Sequence, residues 1–397
     1  MLCTFTDETG AIMKRLFFVG VALVMLSAPL LAQLHACSLC TGMNQRDTLG
    51  MEYERAQLVL FGLISNPRFN IQPGAAPGSG STDFHVEKVL KDTTGRGPWK
   101  DVVLPRYLPV LDVKNPPRML FFCDVNKNRL DPYHGRTASP ALLEYLQATL
   151  PLRAKSRPQA LVGYAKYLDH ADPAVADDAF HEFAKSKDED VGQASKLLDR
   201  AFVRRLVQNA KNDPDRLSLF AFLLGGCGNQ EDAKTLRALI DPPIPSLARA
   251  IDGVLAGYIQ LEPKAGWNLA YKHLADRKQQ FAVRFAVVRT LRFYHGWQPK
   301  DAQAQVLHGL SLIVPDGEFA DLAIEDLRQW RNWDLTTSIL SQYGKASHAA
   351  PITKRSIIRY ALSCPLPEAR DFVERVRRSD PETVSDLEEY LQFERKK

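Results

Sequence analysis

The pattern of apolar and polar positions divides the chain near residue 140 into a strand-rich part and a helix-rich part. Before residue 140, apolar or alternating stretches are separated by residues typical of turns. Four stretches predict strands, namely QLVLFGLIS (57–65), DFHVEKVL (83–90), DVVLP (101–105) and RMLFFCDV (118–125). Leu49 and Tyr53 lie at helical spacing and predict a short helix over 43–55. Several short strands between Gly- and Pro-rich turns are typical of a small barrel or sandwich.

After residue 140, apolar residues recur at helical spacing nearly to the end of the chain. The segment LSLFAFLLGGCG (217–228) is apolar all round, which predicts a helix buried between its neighbours. Helices are predicted over 157–170, 174–186, 217–228, 230–240, 246–259, 266–276, 280–295, 301–313, 318–331, 334–343, 352–363, 367–378 and 382–393. The acidic run from Asp188 to Asp190 predicts a solvated turn.

Two Asp-Pro dipeptides mark the start of predicted helices. Asp172-Pro173 and Asp213-Pro214 each follow a turn, and Asp suits the N-cap as Pro suits the first helical position. They lie roughly 40 residues apart, which is close to the period of HEAT and armadillo arrays. The segment LDHADPAVADDAFHEFAK (168–185) resembles a HEAT-type repeat, and the resemblance extends over about 155–395. It implies an α-α solenoid, in a family whose members mostly bind other proteins along an extended surface.

The N-terminal part resembles the netrin-like module shared with tissue inhibitors of metalloproteinases. The resemblance rests on a cysteine followed by the strands AQLVLFGLIS and FHVEKVLKD. Cys37 stands at the position of the family's first cysteine if cleavage follows Ala36, although the family commonly has C-x-C where this chain has C-x-x-C. The resemblance implies an OB-type barrel. For a chain that begins at Cys37, it also implies chelation of a protease zinc by that residue.

These patterns predict a multidomain protein with both β and α parts. A small OB-like β-barrel over 37–139 is followed by a HEAT-like α-α solenoid over 140–397, and residues 1–36 form a signal peptide region. The basic pair Lys14-Arg15 precedes the apolar run LFFVGVALVMLSAPLLA, as in export signals. We expect translation to begin at Met13 and cleavage to follow Ala32 or Ala36.

The predicted export signal sets the compartment. The apolar run is short for a membrane-spanning helix, and no later segment is long and apolar enough to span. We therefore expect an exported protein in a compartment that permits disulfides.

The formal net charge of +5 over 397 residues is modest. Because a nucleic-acid binder usually concentrates its positive charge, we expect no nucleic-acid partner.

The pair C-S-L-C at Cys37 and Cys40 is the main candidate for chemistry. Covalent haem attachment needs CxxCH, and Thr41 occupies the histidine position. A thioredoxin-like redox pair needs a preceding strand, which the signal region does not supply. A zinc site needs two further ligands, such as Cys123 with His85 or His134.

A structural disulfide is the favoured role for these cysteines. Cys123 ends a predicted strand in the same part of the chain, so it is a candidate partner of Cys37 or Cys40, and a Cys37–Cys40 bridge is the other option. Lipid attachment stays open, because Leu34-His35-Ala36-Cys37 has the leucine and the small residue of a bacterial lipobox. An acylated Cys37 would anchor the protein to a membrane.

A second candidate site is DVNKNRLDPYHG (124–135). Asp124, Asn126 and Asn128 match the first three ligand positions of a calcium loop. Arg129 replaces the glycine needed for the sharp turn, and Gly135 replaces the bidentate glutamate. A polar hairpin turn is therefore the favoured interpretation.

The sequence contains no nucleophile elbow, phosphate-binding loop or HExxH motif. We therefore expect a noncatalytic protein without a cofactor, which acts as a scaffold for an unidentified protein partner. Two alternatives are a protease-inhibitor-like regulator that acts through an N-terminal Cys37 and a thiol-redox protein that uses Cys37 and Cys40.

Overall fold

A computed structural model describes residues 37, 39, 46–70, 72, 78–126, 129–210 and 213–395. The strands in these ranges are β1 (Leu58–Phe69), β2 (Gly80–Asp92), β3 (Asp101–Leu104), β4 (Arg118–Asn126) and β5 (Arg129–Thr137). The seventeen α-helices described are α1 (Leu49–Arg55), α2 (Pro140–Thr149), α3 (Arg157–Ala165), α4 (Pro173–Ala184), α5 (Asp188–Ser195), α6 (Arg200–Asn209), α7 (Pro214–Cys227), α8 (Gln230–Ile240), α9 (Ile251–Leu261), α10 (Pro263–Ala275), α11 (Phe281–Trp297), α12 (Gln303–Ile313), α13 (Ala320–Gln329), α14 (Thr336–Leu340), α15 (Pro351–Ser363), α16 (Pro367–Ser379) and α17 (Pro381–Arg395). Short 3₁₀ helices occupy Leu150–Ala154, Pro245–Leu247 and Ala346–His348.

The five strands form one antiparallel sheet with the order β3-β2-β1-β4-β5. The four predicted strands are present, and β5 is an additional strand that the sequence pattern did not reveal. The two edge strands, β3 and β5, each pair with a single neighbour, so the sheet is open. The structure thus has an N-terminal antiparallel sheet, and the predicted closure into a barrel is not part of it.

Strand β1 is apolar without interruption because both of its faces are covered. Val59 and Phe61 belong to a hydrophobic core that continues into the helices. Leu58 and Leu60 point the other way, into a smaller core that contains Cys123. Successive side chains on a strand alternate between faces, so a strand buried on both sides needs a continuous apolar run. QLVLFGLIS meets this requirement.

The C-terminal part is helical, as predicted. Helix α9 packs against α7, α8, α10 and α11, and α15 packs against α13, α16 and α17. Asp172 caps α4 by accepting a hydrogen bond from Ala174 N–H, and Asp213 caps α7 by accepting one from Arg216 N–H. Each cap is followed by proline at the first helical position. The prediction that these dipeptides start helices is confirmed.

Three helices differ from the sequence-based expectation. Helices α2 and α6 occupy segments for which no helix was predicted. The acidic run from Asp188 to Asp190 is the first turn of α5 and not a solvated turn. Acidic side chains are favourable in the first turn of a helix, where they face the positive end of its dipole. Asp188 itself is buried, because α5 packs against α3, α7 and α11.

The boundary predicted between 139 and 140 lies between β5, which ends at Thr137, and α2, which begins at Pro140. Sheet and helices share one hydrophobic core across it, since Phe122 of β4 and Leu142 of α2 belong to the same cluster. The predicted signal region, 1–36, lies outside the described residues.

Candidate functional site

The structure separates Cys37 from Cys123, which form one of the pairs proposed from the sequence. Cys37 is buried among the helices, and its backbone N–H donates to Ala184 O over 3.1 Å. Cys123 is buried in the smaller core behind the sheet, where its thiol is free. A bridge between Cys37 and Cys123 is therefore not formed, which corrects that expectation. Cys40 lies outside the described residues, and its pairing stays a prediction.

The position of Cys123 explains why it has no bridge. On β4 the side chains of Phe122 and Cys123 point to opposite faces, and only the Phe122 face meets the core that contains Cys37. Burial raises the pKa of the Cys123 thiol to about 12. The thiol therefore stays protonated near neutral pH and packs as a small apolar side chain.

The calcium candidate forms part of a β-hairpin. Asp124 of β4 pairs with Asp131 of β5, and Asn126 pairs with Arg129. Asp124 Oδ1 also accepts a long hydrogen bond from Gln57 N–H at 3.4 Å. Asn128 lies outside the described residues. The register agrees with the hairpin interpretation, and no group of metal-ligating side chains occurs among the residues that the structure describes.

A concave site with a volume of about 730 Å³ lies among the central helices. It forms where the C-terminal ends of α7, α9 and α11 meet the first turns of α10 and α12. We call it the aromatic groove, and the residues that line it are Lys196, Gly225, Gly226, Ile259, Gln260, Pro263, Lys264, Trp267, Asn268, Tyr271, Tyr294, Trp297, Gln298, Asp301, Ala302 and Gln305.

Four ring side chains form the floor of the aromatic groove. Trp267 stacks on Tyr271, one helical turn later, with ring centroids 6.0 Å apart. Tyr294 lies between the two tryptophans, 4.9 Å from Trp267 and 5.4 Å from Trp297. Such pairs stabilise their arrangement by about 1 kcal/mol each beyond simple burial. The floor is therefore held in place before any ligand arrives.

The two tyrosines of the floor are neutral and anchored. The Tyr294 hydroxyl donates to Ala256 O over 2.9 Å, and the Tyr271 hydroxyl donates to Gln305 O over 3.1 Å. Burial raises the pKa of Tyr271 to about 12 and the pKa of Tyr294 well above its usual range. Their rings therefore offer apolar surface, and their hydroxyl protons are already engaged.

Close helix packing positions the aromatic groove. A Cβ atom at Gly225 would lie 2.5 Å from Gly257 Cα, so α7 and α9 approach each other backbone to backbone. A Cβ atom at Gly192 would lie 2.0 Å from Nε1 of Trp297, so α5 leaves room only for the indole. Glycine at these points brings the ends of three helices together around one opening.

The rim of the groove is polar. Gln260 donates its amide to Phe222 O over 3.1 Å, which fixes that side chain. Gln305 has a buried side-chain oxygen that accepts no hydrogen bond from the part of the chain that the structure describes. Lys196, Lys264 and Asn268 are exposed, and neither lysine has an ion pair among the described residues. The groove thus combines an apolar floor with amide and ammonium groups that have capacity for a ligand.

This arrangement supports binding better than catalysis. No histidine, cysteine or glutamate lines the aromatic groove, and Asp301 is its only carboxylate. A single exposed carboxylate beside neutral amides does not form an acid–base pair. Sequence reasoning missed the groove, although Trp267 and Tyr271 at i, i+4 and Tyr294 and Trp297 at i, i+3 were a usable signal.

The comparisons with known proteins do not extend this description. No family model, no curated protein and no solved structure matches the chain. Among the residues that the structure describes, no helix combines the length and the apolar character needed to cross a membrane.

Proposed function

We propose that the chain is an exported, noncatalytic scaffold whose helices form a HEAT-like array and whose aromatic groove binds an extended segment of a partner protein. The observation that carries the proposal is a pre-arranged aromatic floor beside the unpaired Gln305 side-chain oxygen and the exposed amide and ammonium groups of the rim. An extended peptide offers repeating N–H and C=O groups for the amides and side chains for the apolar floor.

The charge of the rim indicates which kind of segment would bind in the groove. Lys196 and Lys264 both line the groove, whereas Asp301 is its only acidic residue. A segment with an acidic side chain would therefore meet complementary charge. Trp267 and Trp297 are each 8% exposed, which leaves too little open ring face for a sugar to stack on, so a ligand would meet the half-buried Tyr271 ring and the polar rim. Both features favour a peptide as the occupant.

The contacts of Cys37 support the scaffold over the two cysteine-based alternatives. Its side chain is 3% exposed and its backbone N–H is bonded to Ala184 O. Zinc chelation by an inhibitor needs that nitrogen and the adjacent carbonyl to face the protease, and thiol exchange needs an accessible sulfur. Inhibition of a metalloproteinase by a chain cut directly before Cys37 would favour the inhibitor hypothesis.

Intrinsic fluorescence tests the peptide proposal, because Trp267 and Trp297 line the groove. We would titrate the protein with a library of short peptides that contain aspartate or glutamate. Peptides that bind should change the tryptophan emission, and Trp267→Phe should reduce this change. Trp99→Phe is the matched control, because Trp99 lies beside the sheet and donates to Asp92 over 2.9 Å.

Affinity variants complete the test. Lys264→Ala and Asn268→Ala remove exposed rim groups. Each should weaken the binding of acidic peptides by roughly threefold to tenfold, as expected for partly solvated contacts. Lys234→Ala, exposed on α8, should have no effect. Undiminished affinity in both rim variants, or binding of oligosaccharides without binding of peptides, would contradict the proposal.

A further inference from the structure

A second concave site lies on the sheet side of the molecule, away from the aromatic groove. It has a volume of about 560 Å³ and lies between the start of α1 and strand β5. We call it the arginine pocket, and the residues that line it are Arg46, Asp47, Glu52, Arg55, Tyr133, His134 and Arg136. It shares no residue with the aromatic groove, so it is an independent candidate site.

The two carboxylates of the arginine pocket are already neutralised. Arg55 donates to Glu52 over 2.7 Å and to Asp47 over 3.0 Å, and its guanidinium also lies over the Tyr133 ring. Glu52 is buried, with 6% of its surface exposed. Its other oxygen lies 3.3 Å from His134 Nδ1. Neither acidic group therefore needs a further cation.

The remaining cationic groups have no such partner. Arg46 and Arg136 line the pocket and form no ion pair with the residues that the structure describes. Arg136 acts on Asp178 through its charge, but both Asp178 oxygens accept hydrogen bonds elsewhere, from Leu49 N–H and the Tyr145 hydroxyl. Two guanidinium groups thus face one cavity with donors to spare.

Two further side chains add to the deficit of acceptors. The Tyr133 hydroxyl is buried and has no acceptor within the described part of the chain. His134 stacks on Phe122 with ring centroids 5.7 Å apart, which fixes the imidazole at the pocket wall, and its buried Nδ1 lacks the geometry of a hydrogen bond. A buried donor without an acceptor is unfavourable, so an acceptor from outside would be stabilised here.

We propose that the arginine pocket binds an anionic ligand through a carboxylate or phosphate group held by Arg46, Arg136 and the Tyr133 hydroxyl. The planar guanidinium offers parallel donors that match both groups, and the phenol supplies a third donor from the side. Asp47 and Glu52 do not repel the ligand strongly, because Arg55 lies against both of them and Lys185 Nζ lies 4.0 Å from Asp47. The cavity also exceeds a single oxyanion in size, so the anionic group belongs to a larger molecule.

Calorimetric titration of the full chain tests this site, with inorganic phosphate in one arm and succinate in the other at constant ionic strength. Saturable one-site binding is expected in at least one arm, and the preferred arm identifies the anion. Arg136→Gln and Arg46→Gln should each weaken binding about tenfold, which corresponds to about 1.4 kcal/mol. Tyr133→Phe should weaken it about threefold, because a neutral donor contributes less than a charged one.

The control is Arg129→Gln, since Arg129 is exposed on the same strand but lies outside the pocket. It should bind as the parent does. None of the pocket variants removes an ion pair that the described residues form, so far-UV circular dichroism should be unchanged. Equal binding in the parent, Arg136→Gln and Arg129→Gln would show nonspecific attraction and overturn the proposal, as would the absence of saturable binding in both arms.

Discussion

Replacement of Asp178 by asparagine tests how a buried carboxylate holds the sheet side to the helices. Asp178 lies on α4, accepts a hydrogen bond from Leu49 N–H at the start of α1 over 2.8 Å, and accepts another from the Tyr145 hydroxyl of α2 over 2.9 Å. Burial raises the pKa of Asp178 to about 6, although these two hydrogen bonds oppose the shift. One side chain thus joins three helices while it carries an unfavourable charge at neutral pH.

The size of the effect on the free energy of unfolding follows from the pKa values of Asp178 in the folded and the unfolded chain. The folded pKa of about 6 stands against a reference value of 3.8, and roughly two units correspond to about 3 kcal/mol. Because the folded pKa is the higher one, this stabilisation is fully present below about pH 4 and is lost as the pH rises through 6. Asparagine cannot ionise, so the variant does not lose this stabilisation as the pH rises.

We therefore expect the free energy of unfolding at pH 8 to be higher for Asp178→Asn than for the parent. The net gain should be about 2 kcal/mol, because about 1 kcal/mol is lost from the hydrogen bond with Tyr145. The difference between variant and parent should fall by about 2.4 kcal/mol between pH 8 and pH 4, because the carboxyl of the unfolded chain is already partly ionised at pH 4. Urea unfolding followed by far-UV circular dichroism at pH 8, 6 and 4 measures both quantities.

Asp386→Asn is the matched control, because Asp386 is exposed on α17 and has no ion pair among the described residues. Its stability should follow that of the parent at each pH. A variant at position 178 that is less stable than the parent at pH 8 would refute the reasoning. A difference that does not change with pH would show that Asp178 does not titrate in this range.

Three further predictions concern the packing of the described residues. Gly225→Ala should lower the free energy of unfolding in urea by about 1–3 kcal/mol, because its Cβ would lie 2.6 Å from Gly257 O and force α7 and α9 apart. Arg284→Ala should cost about 3 kcal/mol in the same assay, because Arg284 is 1% exposed and its loss leaves the buried Asp316 with only a weaker partner. The Cys123 thiol should resist a chromogenic disulfide reagent at pH 8 and react after unfolding in urea; rapid reaction in the native protein would contradict its burial.

Local signals in the sequence located most elements. Asp172 and Asp213 precede proline and cap their helices as expected, because a cap needs only residues within one turn of itself. The continuous apolar run of β1 likewise predicted a buried strand, and both of its faces are covered. Strand β5 was missed because it contains Pro132 and Gly135, which are uncommon inside strands.

The candidate sites could not be located in the same way. The aromatic groove brings together Gly225 of α7, Trp267 of α10 and Trp297 of α11, which are far apart in the chain. Its existence depends on how closely the helices approach, and no local pattern sets that distance. The arginine pocket likewise joins residues before α1 to strand β5, so the cationic groups are scattered in the sequence and adjacent only in space.

Local patterns along the chain therefore predicted most strands and helices, several helix starts and the candidate cysteines. Tertiary packing alone places Cys37 and Cys123 in different cores, buries Asp178 among three helices and brings four aromatic rings into one groove. The reason is physical. Hydrogen bonds within a turn and the alternation of side chains are local, whereas pairing, burial and site geometry depend on which surfaces pack together.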